Sequence, residues 1–347
     1  MMNTDYTNLQ QHVQNNCHIS DARYAGNYTL CIYLLKMREY YRWEKAYTYN
    51  QALSTDEVGD WLTRRENLWD EIENNDYARI ELDSRLYDPF DAQTINTKLL
   101  PQGLVYSAGI GQKDKPHFFL AQLEREENHH GYQILVSGKE YARDLTSPPA
   151  MSQGKTIFIR RESFQRMIWE KIETWRWNKP ENAMAAAMRS YDFEHELENS
   201  LEAMTNNELE SAILHEIGEI KAGEQLQGWG EMMQDISFTP AEIMARAVRD
   251  HLADALSTLP ALIEQNNQAS IHFYFGNLTN MRKHIFPSLQ AAYQQWQTSN
   301  DISPLKQAVK NSLGHWQNIA TLMLSLHNRH QEKCSLHIEA LINANHL

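Results

Sequence analysis

The chain has 347 residues, of which 42 % are apolar and 22 % charged, the make-up of a folded globular protein. Its 32 basic and 45 acidic residues leave a net charge of −13, so it lacks the positive field with which a general nucleic-acid binder displaces counterions. No stretch approaches the roughly 20 apolar residues needed to cross a bilayer.

The first 26 residues are polar, rich in Asn and Gln, and without an apolar run of leader length, so a loosely ordered start is expected. Helical patterning then begins: Leu30, Tyr33, Leu34, Met37, Tyr40 and Tyr41 recur at three- and four-residue spacing. A second helix is predicted over about 54–74, with Thr55-Asp56-Glu57 supplying cap and early acids and Val58, Trp61, Leu62 and Trp69 the apolar stripe. This N-terminal helical part covers 27–99.

Between about 100 and 160 the pattern changes to short β-rich runs broken by Gly, Pro and Asn. Strands are expected at 104–111, 117–123, 132–138 and 156–159. Turns are expected at Lys113-Asp114-Lys115-Pro116 and over Glu124 to Gly131, where His129-His130 would be exposed. From 161 to 347 everything reads as helix. Segments are predicted at 161–177, 182–205, then one capped by Asn206 or Asn207 and carrying His215. Another starts at Thr239-Pro240-Ala241-Glu242 and stops before Pro260. Further helices fall near 268–284, 287–298, 303–315 and 316–343. The fold expected is mainly α, a multi-helix bundle with a small antiparallel β-rich insert.

Within the C-terminal helices, Ile213-Leu214-His215-Glu216-Ile217-Gly218-Glu219-Ile220 places an imidazole and two carboxylates among apolar neighbours, where burial without a purpose is costly. His215 and Glu219 are one helical turn apart and share a face. A second cluster follows at Arg249-Asp250-His251-Leu252-Ala253-Asp254, with Asp250 and Asp254 again one turn apart. Two such helices packed together could offer four or five ligands to a divalent metal. The alternatives are a buried polar network without metal and a solvated face. Gly218 in mid-helix costs about 1 kcal/mol relative to Ala, which points to a close helix crossing or a pocket wall.

The stretch from Ile213 to Ile220 resembles the L-L-H-D-I-G-K-I segment of HD-domain metal-dependent phosphohydrolases over about eight residues. The rest of the chain resembles uncharacterised bacterial proteins. The resemblance implies that His215 is a metal ligand with Glu216 where the family has Asp. It implies His195 as the upstream ligand and Asp250 or Asp254 as the downstream one. Glu219 stands where the family has Lys.

Other motifs contribute less. There is no His-Glu-x-x-His and no Gly-x-Ser-x-Gly, and Gly109-Ile110-Gly111 lacks the rest of a nucleotide loop. Cys17, Cys31 and Cys334 are widely spaced, as in a reducing compartment, and Cys17-His18 with Cys31 lacks the partners of a zinc site. Arg38 and Arg42 could hold an anion or pair within their helix. His272 could face a pocket or sit in the core, and His327, His330 and His337 read as surface.

The leading expectation is a cytoplasmic metal-dependent hydrolase of phosphoester-type substrates. Iron, manganese or zinc would be held by His215, Glu216 or Glu219, and Asp250 or Asp254. Glu219 would be the general base, and Arg282 or Arg38 would neutralise an anionic small-molecule substrate. The alternatives are a non-catalytic helical scaffold or interaction protein with a buried ion network, and a di-iron redox protein. A homo-oligomer is compatible with either.

Overall fold

The N-terminal segment is not loose. In the computed structural model, which describes residues 4–111, 115–129 and 131–347, it forms helix α1 (Thr4–Tyr24). Leu9, Val13 and Cys17 fall four apart and are fully buried with Ile95, Tyr106, Phe118 and Leu120. Asn16 contributes by hydrogen bonds, donating to the Ala78 carbonyl at 2.9 Å and accepting from its N–H at 2.7 Å. A narrow apolar stripe among amides is weak as a pattern but sufficient once a sheet lies beneath it.

The chain divides into two compact units, Met1–Lys171 with Leu197–Leu201, and Ile172–Glu196 with Glu202–Leu347. The first contains α1, α2 (Leu30–Glu44), α3 (Thr55–Ile72), a hairpin of β1 (Ile80–Leu82) and β2 (Arg85–Tyr87), and α4 (Ala92–Leu99). Ser54, one residue before the expected cap, accepts from Glu57 N–H at the start of α3. The β1–β2 hairpin has Asp83 and Ser84 at positive φ, the backbone of a tight two-residue turn built without glycine.

A five-stranded sheet follows, made of β3 (Leu104–Ile110), β4 (Pro116–His129), β5 (Tyr132–Arg143), β6 (Ala150–Gln153) and β7 (Thr156–Arg160), in the order β3-β4-β5-β7-β6. It is antiparallel except that β7 runs parallel to β5. The expected polar turn at Glu124–Gly131 is instead a hairpin overhang, in which β4 stays paired with β5 to His129↔Tyr132. His129 is exposed. His130 and the expected turn residues Lys113-Asp114 lie outside the described residues.

Helix α5 (Arg161–Asn178) leads out of the sheet and ends in the second unit. That unit also holds α6 (Ala183–Met188), most of α7 (Leu197–Gln225), α8 (Trp229–Asp235), α9 (Pro240–Ala253), α10 (Leu259–Glu264), α11 (Gln268–Asn277), α12 (Asn280–Ile285), α13 (Pro287–Ser299), α14 (Ser303–His330) and α15 (Ser335–Asn343).

Two boundaries differ from expectation. Helix α7 runs unbroken through Asn206 and Asn207, and Asn207 caps nothing: its amide donates to Tyr191 Oη and Ser270 Oγ, each at 3.0 Å. Pro260 does not stop the chain's helical course. A π-helical turn (Asp254–Thr258) joins α9 to α10, and Pro260 sits in the first turn of α10, directly after that turn. The core of this unit is one large apolar cluster that includes Leu252, Phe286 and the fully buried Trp316.

Candidate functional site

Gly218 explains how the two polar clusters meet. A Cβ there would overlap the carbonyl oxygen of Ala253 and lie 2.8 Å from its carbon, so α7 and α9 cross in backbone contact. That closeness puts His215 beside Asp254, whose carboxylate sits at the start of the π-helical turn, a distortion that often marks functional sites.

Asp254 is fully buried and saturated. His215 Nδ1–H donates to Oδ1 at 2.8 Å, Tyr274 Oη–H donates to Oδ2 at 2.9 Å, and the Arg282 guanidinium pairs with Oδ2. Arg282 also donates to Tyr274 Oη at 2.8 Å. Burial alone would raise the Asp254 pKa, but Arg282 and His215 outweigh it and hold it well below the usual carboxylate range. Burial likewise works against charge on His215. The Asp254 carboxylate, with Glu219 and Glu216, reverses that and raises the imidazole to about 9. At neutral pH His215 is therefore an imidazolium paired with a carboxylate, with no lone pair on either nitrogen.

The remaining predicted residues are divided among other tasks. Glu219 pairs with Arg249 at 2.8 Å, and its pKa is raised by burial against the pull of Arg249 and His215. Glu216 and Asp250 are half-buried, and both act on His215 through charge. His251 is a core residue. It stacks on Trp316 at 5.1 Å and donates Nε2–H to the Arg282 carbonyl at 3.0 Å, while burial and Arg282 lower its pKa to about 3. His195 is exposed and bonds Asp192 at 2.9 Å. His272 bonds Tyr293 Oη and stacks on Trp296, and Arg42 is taken by Glu39 and the carbonyls of Thr48 and Gln51. His327, expected at the surface, is buried and bonds Asp235 at 2.7 Å.

The metal-dependent hydrolase is overturned. Among the described residues no group of three or more His, Cys, Asp or Glu side chains is placed to hold a metal ion. The reason is geometric: His215 Nδ1 and the Asp254 carboxylate, which were to bind iron, manganese or zinc, bind each other, and Tyr274 and Arg282 occupy the rest of that carboxylate. The same finding removes the di-iron alternative. Glu219 as base and Arg282 as substrate clamp were assigned around that metal, and both side chains are instead ion-paired within the protein.

Tyr274 and Arg249 were the partners missed in reading the sequence. Arg249 lies in the second cluster and Tyr274 two residues after His272, but neither residue type suggests a metal ligand. A second network, in the first unit, gave no sequence signal. Glu140 on β5 receives Arg160 of β7 in two hydrogen bonds, at 3.0 and 2.8 Å, and Ser163 at 2.6 Å, all buried. Arg143 lies over the Trp43 ring at 4.9 Å.

Fold and site define a two-unit, mainly helical protein, each unit containing a buried ion network. Residues 8–160 match the N-terminal domain, and residues 165–345 the C-terminal domain, of a family of unknown function, DUF6866. The chain belongs to that family. No curated protein and no solved structure matches it.

Proposed function

We propose that this protein is a non-catalytic helical scaffold or interaction protein, in which the His215–Asp254–Tyr274–Arg282 network fixes the register of the C-terminal helices. The observation that carries this reading is the saturation of Asp254 by three protein donors from three separate helices. A buried carboxylate satisfied in this way penalises any slip of α7, α11 or α12, because a slip would leave its charge uncompensated. The exposed Leu30, Ile32, Leu34 and Leu35 at the start of α2 also support an interaction role. No described helix is long and apolar enough to cross a membrane, and the free Cys17, Cys31 and Cys334 fit a cytoplasmic setting.

The test is unfolding of an Arg282→Met variant together with metal titration of the wild type. Losing Arg282 strands Asp254, which should cost about 3–5 kcal/mol, while zinc, manganese and iron leave the wild-type Tm unchanged. An unaltered stability in Arg282→Met, or a metal-induced rise in Tm that His215→Ala abolishes, would overturn the reading.

A further inference from the structure

The first unit holds a cavity of about 710 Å³ that the ion networks do not use. It lies where the two edge strands of the curled sheet approach each other: Ser107 of β3 donates to Met151 Sδ of β6 at 3.5 Å. Ile110, Pro148 and Met151 line it, together with Lys36, His117 and Thr146. Its size suits a small organic molecule.

Two of these polar groups are prepared for a ligand. His117 sits opposite Gly109 at the start of β4, and its Nδ1–H donates to Asp144 Oδ2 at 3.1 Å. Asp144 is fully buried and accepts from Ser147 N–H at 2.8 Å, so the ring is held from behind. Nε2 has no hydrogen-bond partner among the described residues. Gly111 keeps the space beside it clear, since a Cβ there would overlap the Nε2–Cδ2 edge. Among the described residues Lys36 forms no ion pair, and its ammonium lies 5.4 Å from the centre of the Tyr28 ring. Burial, then Arg166, lower its pKa, and the Glu170 and Asp144 carboxylates act against them without forming an ion pair with it. Lys115, by contrast, is spent on Asp21 at 2.8 Å and Thr146 at 3.0 Å. A partly buried ammonium without a direct ion-pair partner is costly, and an anion entering the cavity would supply that partner.

We propose that this cavity binds a small organic anion with an apolar body, its acidic head held by Lys36 beside the open Nε2 edge of His117 and its body lying along Ile110, Pro148 and Met151. The site is separate from the proposed scaffold network and does not depend on it.

The experiment is fluorescence titration of the full chain with anilinonaphthalene sulfonate, an apolar aromatic anion, competed by octanoate and by octanol. One saturable site is expected, from which octanoate displaces the probe at least tenfold more effectively than the neutral octanol. Lys36→Met and Gly111→Ala, each checked for unchanged circular dichroism and Tm, should weaken octanoate at least tenfold. If Gly111→Ala unfolds, Lys36→Met decides alone. Absence of saturable binding, equal displacement by octanol, or wild-type affinity in Lys36→Met would overturn the proposal.

Discussion

Replacing Gly218 by Ala sets two effects of known sign against each other. By helix propensity alone the substitution should stabilise the protein by about 1 kcal/mol, because Gly is the poorest helix former after Pro. The crossing with α9 reverses this. The new methyl would overlap the Ala253 carbonyl oxygen and stand 2.8 Å from its carbon and 3.2 Å from its Cα. Ordinary carbon contacts lie at about 3.5–4.0 Å, so the two helices must part by about an ångström. The obstructing atoms are backbone in a packed core and cannot swing aside. Overpacking of this kind costs about 1–3 kcal/mol, and parting the helices also stretches the 2.8 Å bond between His215 and Asp254. A net loss of about 1–2 kcal/mol is expected, read as a lower urea midpoint at unchanged slope and a Tm lower by several degrees. A variant as stable as the wild type, or more so, would refute the close crossing as the reason for glycine.

Three further outcomes follow from the buried ionisable groups. His215 is raised to about 9 in the folded protein from 6.5, so its pairing with Asp254 contributes fully below pH 6.5 and is lost as pH rises through 9. The stability gap between wild type and His215→Gln should therefore narrow across that window in denaturant titrations, and a gap that is constant or widening contradicts the pairing. Glu208, buried in α7 against Ser270 and Asn207, is raised by burial to about 7 from 4.5, so its ionisation penalises the fold increasingly from pH 4.5 through 7. Glu208→Gln should match the wild type near pH 4 and exceed it at pH 8; no gain at pH 8 counts against a strained carboxylate. Glu140→Leu strands the buried Arg160 and should cost about 3–5 kcal/mol, and a urea-measured loss below about 1 kcal/mol would show that the pair carries little.

Much of the helix content was legible because an amphipathic helix repeats its apolar positions within a few residues. Helix α3, with Trp61 and Trp69 on one face, and the helix opened by Thr239-Pro240 are such cases. Helix α1 was missed because Leu9, Val13 and Cys17 make too thin a stripe to be recognised without the sheet they cover. The Asp83-Ser84 turn was missed because it adopts positive φ without glycine.

The same division runs through the candidate site. The sequence by itself placed His215 and Asp254 on helices with apolar neighbours and made Gly218 a helix crossing or a pocket wall, because spacing and composition are local properties. Tertiary structure decided what those groups do. Tyr274 and Arg282 come from two further helices to complete the shell of Asp254, and Arg160 reaches Glu140 from the neighbouring strand. Whether a buried carboxylate is free to bind a metal or is already satisfied depends on the donors within about 3 Å of it. Those donors arrive from distant parts of the chain, so only the packed fold specifies them.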